Sequence, residues 1–352
     1  MTNPNKIPVG VLGATGAVGQ RFIQLLAHHP WFEISAVAAS DRSSGKRFAE
    51  ACHWLLPTRL PQRIGALPVQ SIQDRLDCQI VFSALPSQAA ASVEEAFAQA
   101  GYLVCSNASA HRMDADVPLL IPEVNPGHTA LIKEQRRQRG WKGSLVTSAN
   151  CMATALTLAL KPLHEAFGLQ KLHVVSLQAV SGAGYPGVPS LDMIDNVIPF
   201  ISGEESKIES EPQKMLGTLQ TSRIAPAPFA TSAQSNRVPV RDGHVACVSI
   251  RFQDKPDLQT LLAALEQFRA PPQIAELPSS PPQPIVLRRE PDRPQPVRDR
   301  AAGEGMAVSV GRVRPCPLFD YRLVVLGHNT LRGAAGGAIH NAELLVAQKW
   351  IK

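Results

Sequence analysis

The sequence predicts an α/β protein with two domains, and three observations support this prediction. The chain has 352 residues, and domains of about 100–200 residues are common, so two domains are expected. Over residues 1–150, apolar strand patterns alternate with helical patterns, which favours a doubly wound parallel sheet. Longer strand patterns with fewer helices between them follow, and they favour an α+β domain with a mixed sheet.

The first domain begins with the segment IPVGVLGATGAVGQRFIQLLAHHP, which indicates a strand, a glycine turn and an amphipathic helix. FEISAVAAS and CQIVFSALP are two further apolar strands. ASVEEAFAQAG is a helix that leads into the strand YLVCSNAS. Because strands and helices alternate in this order, the first domain is predicted over residues 1–150.

The second domain is predicted over residues 151–328. Residues 271–296 are rich in proline, which predicts an extended surface excursion without an assigned function. A C-terminal helix over residues 329–352 is expected to complete the first domain. The strand patterns of the second domain are LQKLHVVSLQAVSG, HVACVSIRF, GMAVSVGRVR and YRLVVLG.

Composition and charge argue against several classes of protein. Hydrophobic residues make up 44% and charged residues 18%, which is typical of a globular chain with enough apolar material for a core. The net charge of +6 is scattered, and no nucleic-acid-binding motif accompanies it, so no nucleic-acid partner is expected. The N-terminus lacks a signal-peptide core, and no run of about 18 apolar residues is present. These features predict a cytoplasmic protein with no membrane partner.

The six cysteines are spread along the chain and form no CxxC pair. This spacing predicts neither a zinc site nor a disulfide framework, so no metal is expected. Cys151 differs from the others, because the stretch TSANCMATA places it directly after Asn150, at the start of a helical pattern. A helix N-terminus and a nearby histidine both lower the pKa of a thiol, so Cys151 is either a reactive nucleophile or an ordinary buried thiol.

Gly13, Gly16 and Gly19 lie between the first strand and the first helix, in the stretch GATGAVG. Glycines at such a position allow a tight turn and a close approach of the backbone to a pyrophosphate, and the helix N-terminus offers free N–H groups. The strand–turn–helix context therefore predicts a Rossmann-type dinucleotide site, with a purely structural turn as the alternative.

The residues after the second strand, in ASDRSSGK, are expected to select the cofactor. An acidic residue there binds a ribose 2′-hydroxyl and favours NAD, whereas arginine and hydroxyl groups hold a 2′-phosphate and favour NADP. Ser40, Arg42 and Ser43 favour NADP, and Asp41 keeps NAD open.

Polar residues further along the chain favour the reactive interpretation of the cysteine. Gln178 lies in a strand pattern before a glycine-rich turn. Glu211 precedes Lys214 by three residues on one predicted helix face. Arg237 precedes His244 by seven residues in SNRVPVRDGH.

These residues lie in a set of motifs that resembles the aspartate-semialdehyde dehydrogenase family, in the branch found in archaea, fungi and some bacteria. The motifs occur in the order of the family and cover nearly the whole chain. They are GVLGATGAVGQRF, ASDRSSGK, SNASAHRM, IPEVN, SANCMATA, QAVSGAGYPGV, ESEPQKMLG, NRVPVRDGH, RPQP, GMAVSVGRVR and NTLRGAAGGAIHNAE.

The resemblance implies roles for individual residues. It implies that Cys151 is the nucleophile, that His244 is the general acid/base and that Gln178 orients the acyl intermediate. The implied substrate-binding residues are Arg237 for the carboxylate, Glu211 for the α-ammonium group, Arg112 and Lys214 for the phosphate, and Asn150. The implied cofactor-binding residues are Gly13, Thr15, Gly16, Ala17, Val18, Ser40, Arg42, Ser43, Ser181, Gly182 and Asn329.

Each of these assignments has a structural alternative. His244 can be a structural histidine, and Arg112 can be a solvated loop residue. Glu211 and Lys214 can form a plain surface ion pair. Asn329 can cap the last helix instead of contacting a cofactor.

The resemblance implies NADPH-dependent conversion of L-4-aspartyl phosphate to L-aspartate 4-semialdehyde and phosphate through a cysteine thioester. This reaction serves the synthesis of lysine, methionine, threonine and isoleucine. The implied partners are the small substrates, and the family implies a homodimer or homotetramer formed through the second domain. Two alternatives stay open, namely a malonyl-CoA reductase with similar chemistry and a silent paralogue that binds dinucleotide without turnover. Glu211 favours the aspartyl substrate, and the presence of Cys151 and His244 argues against a silent paralogue.

Overall fold

A computed structural model describes residues 6–351 and contains two main β-sheets. The strands of the first sheet are β1 (Ile7–Leu12), β2 (Phe32–Ala39), β3 (Val69–Ser71), β4 (Ile80–Ser83), β5 (Leu103–Ser106), β6 (Leu119–Leu120) and β7 (Ser144–Ser148). All neighbouring strands run parallel, in the order β3-β2-β1-β4-β5-β7-β6. The predicted doubly wound parallel sheet is confirmed.

Helices cover both faces of this sheet. Val11 of β1 packs in one apolar cluster with Phe22, whereas its neighbour Leu12 packs in another cluster with Phe97. A strand that is buried on both faces is apolar at successive positions, which explains the run IPVGVL. The helices of this part are α1 (Ala17–Leu26), α2 (Phe48–Ala51), α3 (Gln62–Gly65), α4 (Ser87–Ala100) and α5 (Leu131–Arg139), with a 3₁₀ turn at Pro126–Ala130.

The second sheet is mixed, as predicted. The strands that follow the first sheet are β8 (Leu169–Gln178), β9 (Thr218–Leu219), β10 (Ile224–Ala225), β11 (Ala230–Arg237), β12 (His244–Phe252), β13 (Ile285–Arg288), β14 (Val308–Pro315) and β15 (Tyr321–Gly327). Six of them form the sheet β11-β8-β12-β15-β14-β13, with parallel pairs at its two ends and antiparallel pairs between them. Strands β9 and β10 form a separate antiparallel pair.

Helices pack on one face of the mixed sheet. The helices of the rest of the chain are α6 (Cys151–Phe167), α7 (Ser190–Met193), α8 (Glu204–Met215), α9 (Leu258–Gln267), α10 (Pro272–Ala275), α11 (Pro296–Asp299) and α12 (Gly336–Ala347), with 3₁₀ turns at Val180–Ala183 and Ala302–Gly305. Of these, α12 packs on the parallel sheet. Leu156 of α6 and Ile208 of α8 join Val248 in the core. On the opposite face, Val245 is partly exposed and Cys247 is exposed. This face of the sheet is therefore open in the single chain.

The C-terminal helix is shorter than predicted. A π-helical turn at Leu331–Ala335 precedes α12, so regular helix begins at Gly336 instead of residue 329. Ile339 and Leu345 of α12 pack in the core of the parallel sheet. The chain therefore returns to the first sheet after it has completed the second.

The proline-rich residues 271–296 differ from the predicted surface excursion. They contain α10 and β13, and β13 is an edge strand of the mixed sheet. Ile274 and Leu277 are buried and pack with Leu344 of α12. Proline has no backbone N–H donor, but burial of the apolar residues between the prolines stabilises the packing of this stretch against the rest of the protein.

Several features can be stated for the described part of the chain. No helix within residues 6–351 is long and apolar enough to cross a membrane. All six cysteines are free. No group of three or more His, Cys, Asp or Glu side chains in this range could hold a metal ion.

Candidate active site

Cys151 lies at the first position of α6, where the parallel sheet ends and the second part of the fold begins. The Asn150 side chain caps this helix, because its Oδ1 accepts hydrogen bonds from the Met152 and Ala153 N–H groups at 2.9 and 3.1 Å. Gly333 packs against Cys151, and a methyl group added at position 333 would lie 2.6 Å from Cys151 Cβ. The predicted helix start is confirmed, and the cysteine is held between α6 and the π-helical turn.

The surroundings of the Cys151 thiol keep it protonated. Burial, followed by the Glu204 carboxylate, raises its pKa to about 12. Arg112, the Met152 N–H group and Arg237 act in the opposite direction but do not outweigh burial. The pKa is therefore raised, whereas the position at a helix N-terminus predicted a lowered value. At neutral pH the free protein holds the thiol form.

His244 begins β12 and is completely buried. Its Nδ1 accepts a hydrogen bond from the Ala179 N–H group at 3.1 Å, so the proton of the neutral ring resides on Nε2. Nε2 has no hydrogen-bond partner among residues 6–351. Burial, Arg237 and His328 lower the pKa of His244 to about 3. His244 is therefore a neutral ring with an N–H donor that no described protein group uses.

Gln178 and Arg237 end two adjacent parallel strands, β8 and β11, and they pair in register. Arg237 is buried, and its Nη1 donates to the Ala179 carbonyl oxygen at 2.8 Å. Arg237 forms no salt bridge with any carboxylate in the described part of the chain. A buried guanidinium without a carboxylate partner is suited to an anionic ligand, which agrees with the predicted contact to a substrate carboxylate.

Both carboxylate oxygens of Glu211 are engaged within the protein. Oε1 accepts from Arg112 Nη1 at 3.0 Å, and Oε2 accepts from the Asn150 N–H group at 2.5 Å. The residue is only 2% exposed, and burial raises its pKa against the effects of Arg112 and the Asn150 N–H group. Glu211 therefore supports the residue before Cys151. This arrangement differs from a surface ion pair, whereas the contact with an α-ammonium group stays a prediction, because each carboxylate oxygen can accept a second hydrogen bond.

Lys214 is buried near Glu211, and its predicted contact with phosphate stays a prediction. Its Nζ donates to the carbonyl oxygens of Arg112, Asp114 and Val117 at 2.7, 2.7 and 2.9 Å. These contacts use the three N–H donors of the ammonium group, so a contact with phosphate would replace one of them. Burial lowers the pKa of Lys214 to about 8. Lys214 positions the loop of Arg112, whose Nη2 donates to the Asn107 carbonyl oxygen at 2.8 Å, so Arg112 is a buried residue and not a solvated one.

Gly13, Gly16 and Gly19 form the predicted turn between β1 and α1. Gly13 has a φ of +72°, in the left-handed region that favours glycine. A methyl group at Gly19 would collide with the Gly13 carbonyl oxygen. Gly16 precedes α1 without a side-chain cap, so N–H groups of the first turn are available to a phosphate. Three neighbouring residues are partly exposed along the turn, namely Thr15, Ala17 and Val18.

Ser40, Arg42 and Ser43 form a turn that follows β2. The Ser43 N–H group donates to the Ser40 carbonyl oxygen at 2.9 Å, and Ser40 and Arg42 are exposed. Asp41 Oδ1 accepts from Ser71 Oγ at 3.3 Å. Arg42 has no hydrogen bond or ion pair to the residues that the structure describes. The turn thus presents an unused guanidinium where a 2′-phosphate of NADP would be bound.

Ser181, Gly182 and Asn329 meet beside His244. Asn329 Nδ2 donates to Ser181 Oγ at 2.8 Å, and its Oδ1 accepts from the Gly243 N–H group at 2.8 Å. Asn329 therefore joins two loops and does not cap α12. A methyl group at Gly182 would lie 3.1 Å from His244 Nε2, so the absence of a side chain there keeps the space next to this nitrogen open.

Glu204 is a residue of the site that the sequence analysis did not single out. It begins α8, and its Oε1 accepts from Asn150 Nδ2 at 2.7 Å and from Gln178 Nε2 at 2.9 Å. It therefore contacts both the cap of the cysteine helix and the residue predicted to orient the acyl group. Glu204 precedes Glu211 by seven residues, and this two-turn spacing on one helix face is the signal that could have identified it.

Two protein-family comparisons cover most of the chain. Residues 8–132 match the semialdehyde dehydrogenase NAD binding domain. Residues 160–332 match the semialdehyde dehydrogenase dimerisation domain. Cys151 lies between the two matched ranges, at the junction of the two sheets.

Individual relatives extend over the full length of the chain. Aspartate-semialdehyde dehydrogenase of Archaeoglobus fulgidus is 50% identical over 97% of this chain and 99% of its own length. The enzyme of that name from Cryptococcus neoformans is 44% identical over 99% of both chains. The crystal structure of aspartate semialdehyde dehydrogenase with NADP from Candida albicans has a TM-score of 0.90 at 41% identity, and it covers 98% of this chain and 100% of its own. The chain therefore belongs to the aspartate-semialdehyde dehydrogenase family.

Proposed function

We propose that this chain interconverts L-4-aspartyl phosphate and L-aspartate 4-semialdehyde with NADP(H), in the synthesis of the aspartate-family amino acids. The observation that carries this proposal is the meeting of three groups at one site: the Cys151 thiol, the free Nε2–H group of His244 and Arg237, whose charge acts on both and whose Nη1 lies with the His244 ring beside Gly182. The full-length identity to relatives named for aspartate semialdehyde favours this substrate over malonyl-CoA.

Cys151 forms the covalent bond to the substrate. Its sulfur attacks the carbonyl carbon of the acyl phosphate, the bond from that carbon to the phosphate oxygen breaks, and the thiol proton leaves with the departing hydrogen phosphate. The product is a thioester, and this covalent capture divides one difficult step into two easier ones. Arg237 offers two parallel N–H groups to the substrate carboxylate, which fixes the carbonyl carbon next to the sulfur.

His244 acts on the oxygen of the thioester. NADPH, when bound, supplies the hydride for the reduction. The Nε2–H group of His244 donates to the carbonyl oxygen as negative charge develops there, and Gln178 orients the acyl group. The carbon–sulfur bond then breaks, the aldehyde is formed, and the released sulfur takes a proton from solvent, which restores the thiol.

The residues present fit NADP. The glycine turn allows close approach and leaves helix N–H groups free, and the turn after β2 offers the unpaired Arg42. We expect Arg42→Ala to raise the KM for NADP⁺ by about 10–100-fold, because a charge-assisted contact to the 2′-phosphate is lost. The KM for NAD⁺ should stay the same.

The matched control for this substitution is Arg298→Ala, which removes an exposed arginine of α11 in the other part of the fold. Steady-state kinetics with both cofactors provide the comparison. An equal rise of KM for NADP⁺ and NAD⁺ in Arg42→Ala would contradict the assignment of the 2′-phosphate to this residue.

The proposed NADP-binding domain comprises residues 1–150 with residues 329–352, and the proposed catalytic and dimerisation domain comprises residues 151–328. Two observations support association through the second domain. Residues 160–332 match a dimerisation domain, and the mixed sheet leaves one face open with partly exposed Val245. On this basis we propose a homodimer or homotetramer, and we propose a cytoplasmic location.

The function is tested by reduction of NADP⁺ with L-aspartate 4-semialdehyde, in the presence and absence of phosphate. Turnover should require phosphate, because phosphate releases the acyl group from the thioester in this direction. A parallel assay supplies malonyl-CoA and NADPH. Turnover with malonyl-CoA but none with the semialdehyde would overturn the proposal, and turnover independent of phosphate would overturn the acyl-phosphate chemistry.

A further inference from the structure

Two adjacent parallel strands, β6 and β7, end beside each other at the active site. β7 ends at Ser148 and Cys151 follows three residues later, whereas β6 ends at Leu120 and Glu123 follows three residues later. Because the carboxyl ends of parallel strands lie at one edge of a sheet, the cysteine and this glutamate leave the sheet on the same side. The Glu123 side chain is completely buried, and it has no part in the proposed reaction. A carboxylate buried in this way needs a charged or hydrogen-bonding partner.

Arg332 supplies this partner from the π-helical turn at Leu331–Ala335. Its Nη1 donates to Glu123 Oε1 at 2.7 Å, and its Nη2 donates to Glu123 Oε2 at 2.6 Å. Burial raises the pKa of Glu123, but Arg332 and His340 outweigh burial and lower this pKa to about 2. The pair is therefore ionised at neutral pH. Two parallel contacts fix the orientation of the guanidinium group as well as its distance from the carboxylate.

The residue after Arg332 packs on the reactive cysteine. A methyl group at Gly333 would lie 2.6 Å from Cys151 Cβ and 2.8 Å from Cys151 Cα, so the backbone of the π-helical turn is in direct contact with the start of α6. Asn329, three residues before Arg332, donates to Ser181 Oγ at 2.8 Å. The segment that carries the arginine therefore contacts both the cysteine and the loop of Ser181.

We propose that the ion pair between Glu123 and Arg332 positions Cys151 for the chemical step. The pair holds Gly333 against the cysteine and thereby fixes the sulfur relative to the bound substrate. Neither charged residue touches the reacting atoms, so both are positioning residues. An apolar pair of similar volume would stabilise the fold at least as well, but it would not fix the orientation of the turn, because apolar contacts are non-directional. The proposal deepens the proposed function, since it takes Cys151 as the nucleophile.

The first test is Arg332→Lys, which keeps the positive charge but replaces the planar fork by a single ammonium group. We expect kcat to fall by about 10–100-fold with the KM for NADP⁺ unchanged, because a displacement of about 1 Å at the reacting atoms is enough for such a loss. We also expect iodoacetamide to alkylate Cys151 several-fold faster, because looser packing of Gly333 exposes the sulfur. Steady-state kinetics measure kcat and KM, and mass spectrometry of the Cys151 peptide measures alkylation.

Glu123→Gln tests the other half of the ion pair. Glutamine offers one acceptor oxygen where the carboxylate offers two, so the fork of Arg332 loses one of its contacts. The variant should show the same fall in kcat and the same faster alkylation, and it takes the place of Arg332→Lys if that protein does not fold.

The matched control is Glu343→Gln. Glu343 lies on α12, is completely buried, and its Oε1 accepts from His29 Nε2 at 2.8 Å. This contact also holds α12 on the first sheet but does not involve the π-helical turn. Glu343→Gln should therefore lower Tm without changing kcat or the alkylation rate of Cys151.

The comparison with this control separates positioning from stability. An equal loss of kcat in Glu343→Gln and Arg332→Lys at the same fall in Tm would overturn the proposal, because kcat would then follow stability alone. Unchanged alkylation of Cys151 in both variants of the ion pair would overturn it as well. Alkylation needs no substrate, so a wild-type protein without phosphate-dependent turnover would overturn the proposed function, whereas the alkylation rates would still decide whether the ion pair positions the thiol.

Discussion

Cys151→Ala is expected to abolish phosphate-dependent turnover, with a fall in kcat of at least about 10⁴-fold, as for removal of a nucleophile. No other described cysteine can replace it, because Gly333 and α6 fix this position next to the unpaired Arg237. NADP⁺ binding should be retained, because the glycine turn and the turn after β2 do not involve Cys151. Fluorescence titration with NADPH measures cofactor binding, and steady-state kinetics measure kcat.

Cys151→Ser separates the loss of the nucleophile from a change in packing. Serine keeps nearly the same volume against Gly333, but its hydroxyl group is a weaker nucleophile, so this variant should also lack turnover. Cys247→Ala is the control, because it removes an exposed thiol on the open face of the mixed sheet. If Cys151→Ala kept turnover while Cys247→Ala lost it, the thioester would form on a different cysteine.

The raised pKa of Cys151 has a consequence for the order of events. A thiol with a pKa of about 12 is almost entirely protonated at neutral pH, so the free protein should react slowly with iodoacetamide. Binding of the substrate brings a phosphate group that can accept the thiol proton. We therefore expect the thiol to lose its proton to the bound substrate and not before the substrate binds.

Local sequence patterns predict the elements that carry the chemistry. The alternation of apolar runs and glycines in IPVGVLGATGAVG is sufficient for β1, the turn and α1, because sterics and helix capping act within a few residues. The start of α6 is also predicted by a local pattern, because Asn150 is a capping residue directly before the helix that Cys151 begins. The proline-rich stretch is the exception, because contacts with α12 that are distant in the sequence override its local composition.

Long-range contacts determine what the predicted site residues do, and local patterns do not contain them. Lys214 and Arg112 belong to motifs that imply phosphate binding, but the three carbonyl oxygens around Nζ come from a loop about 100 residues away in the sequence. Glu211 is likewise occupied by Arg112 and Asn150 from other elements. Motifs therefore identify which residues gather at the site, whereas the contacts that hold each residue in place need the three-dimensional arrangement.

His244→Asn is expected to lower kcat by about 10²–10⁴-fold, because the Nε2–H donor to the thioester oxygen is lost. The asparagine amide is too short to occupy the position of Nε2. Acylation of Cys151 and NADP⁺ binding should persist, so single-turnover experiments should show a thioester that is reduced slowly. The control is His173→Asn, which removes an exposed histidine from β8. An unchanged kcat in His244→Asn would assign the donor to another group.

The same variant tests whether His244 is neutral when buried. Its pKa is about 3 in the folded chain and about 6.5 when unfolded, so the unfolded chain binds more protons between these values. This contribution to stability is complete above pH about 6.5 and is lost as the pH falls towards 3. His244→Asn should therefore reduce the difference in Tm between pH 7.5 and pH 5. Part of this difference should remain, because burial also lowers the pKa values of His128 and His328 to about 4. An unchanged Tm difference would mean that the pKa of His244 is the same in the folded and the unfolded chain, which would contradict its burial as a neutral ring.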